Sequence, residues 1–215
     1  MLPTRDPPQN KIPTHTEIEE LETNIPSNRT GKKKKKLITI LISDKTDFKK
    51  RAIKRDPEGH FIILKGRIHQ EDTHIVNIYA SNIGAPKYIR KILEDFKKDI
   101  DSNTIILGDF NTPLSKMERC SKQNINKDTA ALNNVLDQMD LSYIYRCLHP
   151  KEAKYTFLSK ACVTFSRKDH MTGHKISLNK FKKIEIVSRI VSDYKGLKLE
   201  TNLKEKLKNT QIYGD

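Results

Sequence analysis

Ile105-Ile106-Leu107-Gly108-Asp109-Phe110-Asn111-Thr112-Pro113-Leu114-Ser115 decides how this chain is read. A short apolar run ends in a glycine, then a carboxylate, then a carboxamide two residues on. Short apolar runs bounded by turn residues read as buried strands. Alternate residues of a strand share a side, so Asp109 and Asn111 are expected to project together. Pro113 stops further pairing. A carboxylate beside an amide suits phosphate chemistry: one handles a proton or a metal-bound water, the other steadies an oxyanion. The competing reading is an Asx turn that closes the strand.

The surrounding sequence supplies a sheet for that strand. Leu37 to Ser43, Phe61 to Leu64 and Ile75 to Ala80 read as strands. Pro86 opens a helix in which Tyr88, Ile89, Ile92, Leu93 and Phe96 recur at helical spacing. Asp128 is expected to cap a second helix carrying Leu132, Val135, Leu136 and Met139. Tyr155 to Leu158, Val163 to Phe165, Ile184 to Val191 and Gly196 to Leu199 read as further short strands. Strands outnumber helices and do not alternate with them one for one. That predicts a mixed α/β sandwich rather than a doubly wound sheet.

The 215 residues divide by composition into a polar, Pro- and Lys-rich leader expected to be disordered (1–36), one domain (37–201) and a frayed Lys-rich tail (202–215). Hydrophobic residues make up 35% and charged residues 32%, which implies a modest core. The 41 basic and 27 acidic residues leave a net charge of +14, which calls for a polyanionic partner. Nucleic acid is preferred over an anionic membrane surface, and no apolar stretch is long enough to span a bilayer. Lys32, Lys33, Lys34, Lys35 and Lys36 form a run that reads equally as a nuclear import signal, a phosphate-binding patch or a solvated charge run. Cys120, Cys147 and Cys162 are widely spaced and odd in number. They make neither a zinc pattern nor a disulfide framework, as expected of a nuclear or cytoplasmic protein that is not secreted.

Polar clusters recur at strand ends. Tyr79 and Asn82 follow one strand, Asp109 and Asn111 the next, then come Asp169 with His170 and Asp193 with Tyr194. One such cluster is commonly a turn. Four in this order suggest convergence on one side of a sandwich, on loops held by a rigid scaffold.

On Ile42-Ser43-Asp44-Lys45, Asn77-Ile78-Tyr79-Ala80, Gly108 to Ser115, Tyr155-Thr156-Phe157, Asp169-His170 and Ser192-Asp193, the chain resembles the endonuclease/exonuclease/phosphatase superfamily, the group of exonuclease III. More closely, residues 37–201 look like the endonuclease domain of the second open-reading-frame protein of mammalian long interspersed element retrotransposons. The resemblance implies a four-layer α/β sandwich that cuts DNA with a divalent metal, usually Mg²⁺. It implies that Tyr79 touches the scissile phosphate and that Asp109 acts on the attacking water or the leaving group. Asn111 would steady the phosphate, Asp169 would orient a histidine, and Asp193 would help hold the metal or its water. Asn82 and Lys116 are expected at the nucleic acid.

Several positions depart from the family pattern. The strand ending in Gln-Glu-Thr, whose Glu is the principal metal ligand, is not legible; Glu22 follows no apolar strand. Tyr194 stands at the family histidine, and a phenol with a pKa of about 10 does not replace an imidazole as a near-neutral base. Lys168 stands where the family has an apolar residue on a buried strand, so the strand is expected to shift or the lysine to snorkel outward. Ser81 replaces a proline and is expected to loosen the loop after Tyr79. The resulting expectation is an incomplete sandwich, its first strands missing: an N-terminally truncated, degenerate endonuclease domain with weak or no activity. The alternatives are an active Mg²⁺-dependent DNA endonuclease and a non-catalytic basic nucleic-acid binder.

Overall fold

Apolar residues in the central strands alternate so that both faces of one sheet are sticky, and two different layers cover them. The fold is described from a computed structural model covering residues 38, 40, 42, 46–68, 70–119, 125–159, 164–188 and 195–202. The leader, the Lys32 to Lys36 run, Glu22, Cys120, Cys162, Asp193, Tyr194 and residues 203–215 lie outside the described residues.

In chain order the elements are β1 (Phe48–Arg55), β2 (Phe61–Ile68), β3 (Glu71–Tyr79), α1 (Ala85–Asp95), β4 (Thr104–Asp109), α2 (Lys127–Gln138), β5 (Leu141–Tyr143) and α3 (Ile144–Leu148). They are followed by β6 (Phe157–Ser159), β7 (Thr164–Ser166), β8 (Asp169–His174), β9 (Phe181–Ser188) and β10 (Lys195–Thr201). Six strands form one mixed sheet in the order β1-β2-β3-β4-β8-β5, while β9–β10 and β6–β7 are separate two-stranded ribbons. Strands β3 and β4 are parallel, joined through α1, and β8 runs antiparallel to β4.

Period-two alternation splits the strands between two cores. Ile63, Val76, Ile78 and Ile106 face α1 and α2, where Ile89, Leu93, Leu132 and Leu136 are buried. Ile62, Leu64, Ile75, Ile105, Leu107 and Met171 face the other way, against Ile144, Tyr145 and the β9–β10 residues Ile184, Leu197 and Leu199. Among the described residues this makes three layers: helices, six-stranded sheet, and β9–β10 with α3. The architecture is the expected α/β sandwich. No helix among the described residues is long and apolar enough to cross a membrane.

Several local expectations are revised. The first helix carries Pro86 in its opening turn, as read, but Asn126 rather than Asp128 caps the second: its Oδ1 accepts from Thr129 N at 2.7 Å. Asp128 lies inside the first turn, where a carboxylate favours the helix dipole. Strand β1 has no alternating apolar signal, being FKKRAIKR; it is a sheet edge, where lysines discourage pairing with other chains, and its register shifts between Lys50 and Ala52. Asp169 and His170 follow β7, as read, and they open a further strand, β8, which pairs with β4 on one side and β5 on the other. Of the Leu37 to Ser43 segment only Ile38, Ile40 and Ile42 are described. Ile38 and Ile40 are buried in the second core and Ile42 packs against it, but none of the three lies in a strand. In the loop after Tyr79 the Ser81 hydroxyl donates to the Ile83 carbonyl at 3.2 Å.

Gly108 is required where β4 meets the motif. Its φ is +135°, and a Cβ there would lie 2.0 Å from the Ile78 carbonyl oxygen and 2.8 Å from Asn77 Oδ1. Both are parts of the neighbouring strand, so neither gives way cheaply. Gly108→Ala is expected to destabilise the fold by roughly 3 kcal/mol or more, read as a fall in the thermal unfolding midpoint; an unchanged midpoint would contradict this geometry.

Candidate active site

The sheet register aligns three of the expected residues in a row. Tyr79 pairs with Asp109 across β3–β4, and Asp109 pairs with Asp169 across β4–β8. Directly paired residues share a face, so one phenol and two carboxylates stand side by side on three adjacent strands. The row sits at the C-terminal end of the parallel pair, where the chain leaves the sheet. Residues at such ends carry chemistry in open α/β sheets.

Asn111 joins the row by a different route from the one alternation predicts. The strand ends at Asp109, and Asn111 adopts φ +48°, a left-handed conformation that asparagine tolerates better than most residues. Asp109 Oδ1 accepts from Asn111 N at 2.9 Å, and its Oδ2 accepts from Asn111 Nδ2 at 3.3 Å. Nδ2 also donates to the Ala80 carbonyl at 2.6 Å. The Asx turn and the convergence of the two side chains are therefore one arrangement. Proximity comes from the turn and not from strand periodicity.

Lys168 lies just before β8 and snorkels to the rim of the sheet, as one of the two expectations had it. Its Nζ lies 3.2 Å from Asn111 Oδ1 and 3.4 Å from Asn82 Oδ1, and 4.0 Å from the centre of the Phe157 ring. The half-buried lysine thus sits among site residues. Buried Thr156 fixes the backbone beneath it, its Oγ1 accepting from Lys168 N at 3.2 Å and Asp169 N at 3.4 Å. The sequence marks Lys168 as a misfit rather than as a site residue; its neighbour Asp169 was the available signal.

His60 is the other residue missed. It stacks on Tyr79 with ring centres 6.5 Å apart and meets Tyr88 edge-on at 5.7 Å. Its Nδ1 lies 3.2 Å from Asp56 and 3.5 Å from Glu58. Burial, aided by Asp56 and Glu58, pushes the Tyr88 hydroxyl up to about 12, so it stays protonated. Nothing in a lone histidine at a strand start marks it as a neighbour of Tyr79.

His170 is not the histidine that Asp169 would orient. Adjacent strand residues face opposite sides, and His170 lies buried between Phe110 and Tyr143. Its Nε2 is 2.9 Å from the Thr112 carbonyl, an acceptor, so Nε2 carries the proton. Burial holds its pKa below the usual imidazole value, outweighing the opposing pull of Glu118. Lys116 begins a short 3-10 turn and is exposed; no hydrogen bond or ion pair joins it to the row among the described residues.

The loop after the motif is tied down by Glu118. Its Oε2 accepts from Leu114 N at 2.8 Å and Ser115 N at 3.1 Å, and its Oε1 pairs with Arg167 Nη1 at 3.3 Å. Both side chains are buried. Arg167 also lies 3.8 Å over the Tyr145 ring.

The described residues do not fit Mg²⁺. A hard cation needs several oxygen ligands. Here the amide oxygens of Asn82 and Asn111 face an ammonium that would repel a second cation beside them. Among the described residues no cluster of three His, Cys, Asp or Glu side chains is arranged to hold a metal.

No protein-family model matches the sequence. Solved structures do match the fold. The endonuclease domain of TRAS1, a telomere-specific non-LTR retrotransposon, aligns with a TM-score of 0.59 at 13% identity over 77% of this chain and 73% of that one. An AP endonuclease from Archaeoglobus fulgidus aligns at 0.57 with 16% identity over 73% and 72% of the two chains. The 3′ phosphatase NExo from Neisseria, bound to a product DNA hairpin, aligns at 0.53 with 16% identity over 74% and 70%. The chain therefore shares its fold with these endonuclease and phosphatase structures.

Two measurements check this site. Glu118→Gln leaves the Arg167 charge buried without its partner, so unfolding free energy should drop by about 3–5 kcal/mol; a drop under ~1 kcal/mol would deny the pair this role. His170 is neutral when folded and binds a proton more readily when unfolded. Stability should therefore be full above pH ~6.5 and fall as pH drops below it, by up to ~1.4 kcal/mol per pH unit until the folded ring protonates. Denaturant titrations across pH ~5–8 should show a shallower fall in His170→Gln than in the natural chain.

Proposed function

We propose that this chain is a degenerate DNA endonuclease domain of the retrotransposon type, retaining nucleic-acid binding with weak or no phosphodiester hydrolysis. The single observation that carries the reading is the row Tyr79, Asp109 and Asp169 with the Lys168 ammonium among its amides. The row supports descent from a phosphodiesterase. The lysine supports impairment, because it competes with a divalent cation for the same oxygens. Tyr194 in the sequence, at the family histidine, supports it further, since removing a histidine from a concerted site costs orders of magnitude in rate.

DNA as the partner is supported by the net charge of +14 and by the fold shared with a protein solved with a DNA hairpin. The likeness to the TRAS1 domain supports a retrotransposon origin, and the motif residues around Asp109 support the long interspersed element within that class. Binding through phosphates carries affinity and little sequence preference.

Supercoiled plasmid tests the catalytic half. With Mg²⁺ present, the natural chain and Asp109→Ala should nick at the same background rate. Metal-dependent nicking that vanishes in Asp109→Ala would establish an active enzyme instead. For the binding half, affinity for duplex DNA should drop at least about 10-fold between roughly 50 and 200 mM salt, as two or more phosphate contacts require. Indifference to salt would remove the nucleic-acid reading.

A further inference from the structure

We propose that Lys168 is the phosphate-binding cation of this site, holding a nucleic-acid phosphodiester without a divalent metal. The inference rests on the DNA-binding reading above and assigns its central contact.

Three contacts decide where the lysine places its charge: Asn111 Oδ1 at 3.2 Å, Asn82 Oδ1 at 3.4 Å and the Phe157 ring at 4.0 Å. A four-carbon stem is otherwise free to swing, so a cation held on three sides is preorganised. An ammonium has three N–H donors and no acceptor. The two amides engage two donors, which leaves the third for an incoming oxygen. Both hydrogen-bond partners are neutral amides, so they position the ammonium without forming an ion pair with it. The ring face adds an attraction that depends on the cation and leaves its charge intact.

The placement suits a phosphodiester. Asn82 lies on the loop leaving β3, Asn111 on the loop leaving β4, and Lys168 immediately before β8. The ammonium therefore spans the ends of the same three strands that carry Tyr79, Asp109 and Asp169. An anionic oxygen bound there meets a fixed positive charge that the geometry directs at the row. A divalent ion at these amide oxygens would have to displace the ammonium, so the lysine's phosphate contact needs no Mg²⁺.

Fluorescence anisotropy with a labelled duplex, in EDTA and in millimolar Mg²⁺, tests the assignment. The natural chain should bind equally in both. Lys168→Met keeps the packing on Phe157 and removes the charge. It should weaken binding on the order of tenfold and reduce the log affinity–log salt slope by about 0.9, the signature of one lost phosphate contact. Lys168→Arg should restore most of the affinity. As a readout on the natural chain, DNA added in EDTA should shift the side-chain amide resonances of Asn82 and Asn111. A natural chain that does not retain DNA overturns the binding reading together with this inference. A natural chain that binds, with an unchanged salt slope in Lys168→Met or unmoved Asn82 and Asn111 amides, overturns the inference alone.

Discussion

The buried pair Glu118–Arg167 is the constraint on which the site depends. Two charges removed from water are tolerated only if the remaining donors and acceptors are met. Glu118 meets its share with the Leu114 and Ser115 amides, Arg167 with the Lys154 carbonyl through Nε at 3.1 Å, and the backbones join as well, Arg167 N donating to the Glu118 carbonyl at 2.8 Å. The pair therefore pins the loop that follows Asp109 and Asn111 to the entry of β8. Phe110 N donating to the Lys168 carbonyl at 2.8 Å closes the same seam from the other end. Both ties support the register that sets Asp169 opposite Asp109.

The same constraint accounts for the place of Lys168. Its predecessor Arg167 is drawn into the interior by Glu118 and the Tyr145 ring. Lysine one residue on turns to different surroundings, and the neutral oxygens of Asn82 and Asn111 with the Phe157 face receive it. A residue that breaks an apolar pattern costs little here, because its charged end reaches amide oxygens at the rim of the sheet while its stem stays half buried. The amide oxygens of Asn82 and Asn111 are thereby gathered around an ammonium.

Much of the central sheet was legible because its signals are local. The apolar runs at Phe61, Ile75 and Thr104 are strands, and the spacing from Tyr88 to Phe96 is a helix, with Phe96 at its C-terminal cap. The edges were less legible. Strand β1 is nearly all basic, since an edge strand has one solvated side and no need for alternation. The helix cap passed from Asp128 to Asn126 because two short polar side chains compete for that role within one turn and only the backbone path chooses between them. In the site, Tyr79, Asn82, Asp109, Asn111 and Asp169 were readable by type and order. His60 and the contacts of Lys168 were not, because they come from segments far away in sequence.

What the sequence by itself determined is the type and order of the site residues: a glycine, carboxylate and carboxamide in fixed spacing at the end of an apolar strand, with polar clusters at other strand ends. Those signals depend on residue type and short-range period, and no folding is needed to read them. What only the tertiary structure decided is the state of the site. Asn111 meets Asp109 through a left-handed turn, His170 faces away from Asp169, and Lys168 fills the space between two asparagines. The first is a local turn chosen over strand continuation, and the other two are set by strand register and by partners tens of residues distant; a linear reading does not contain those energies.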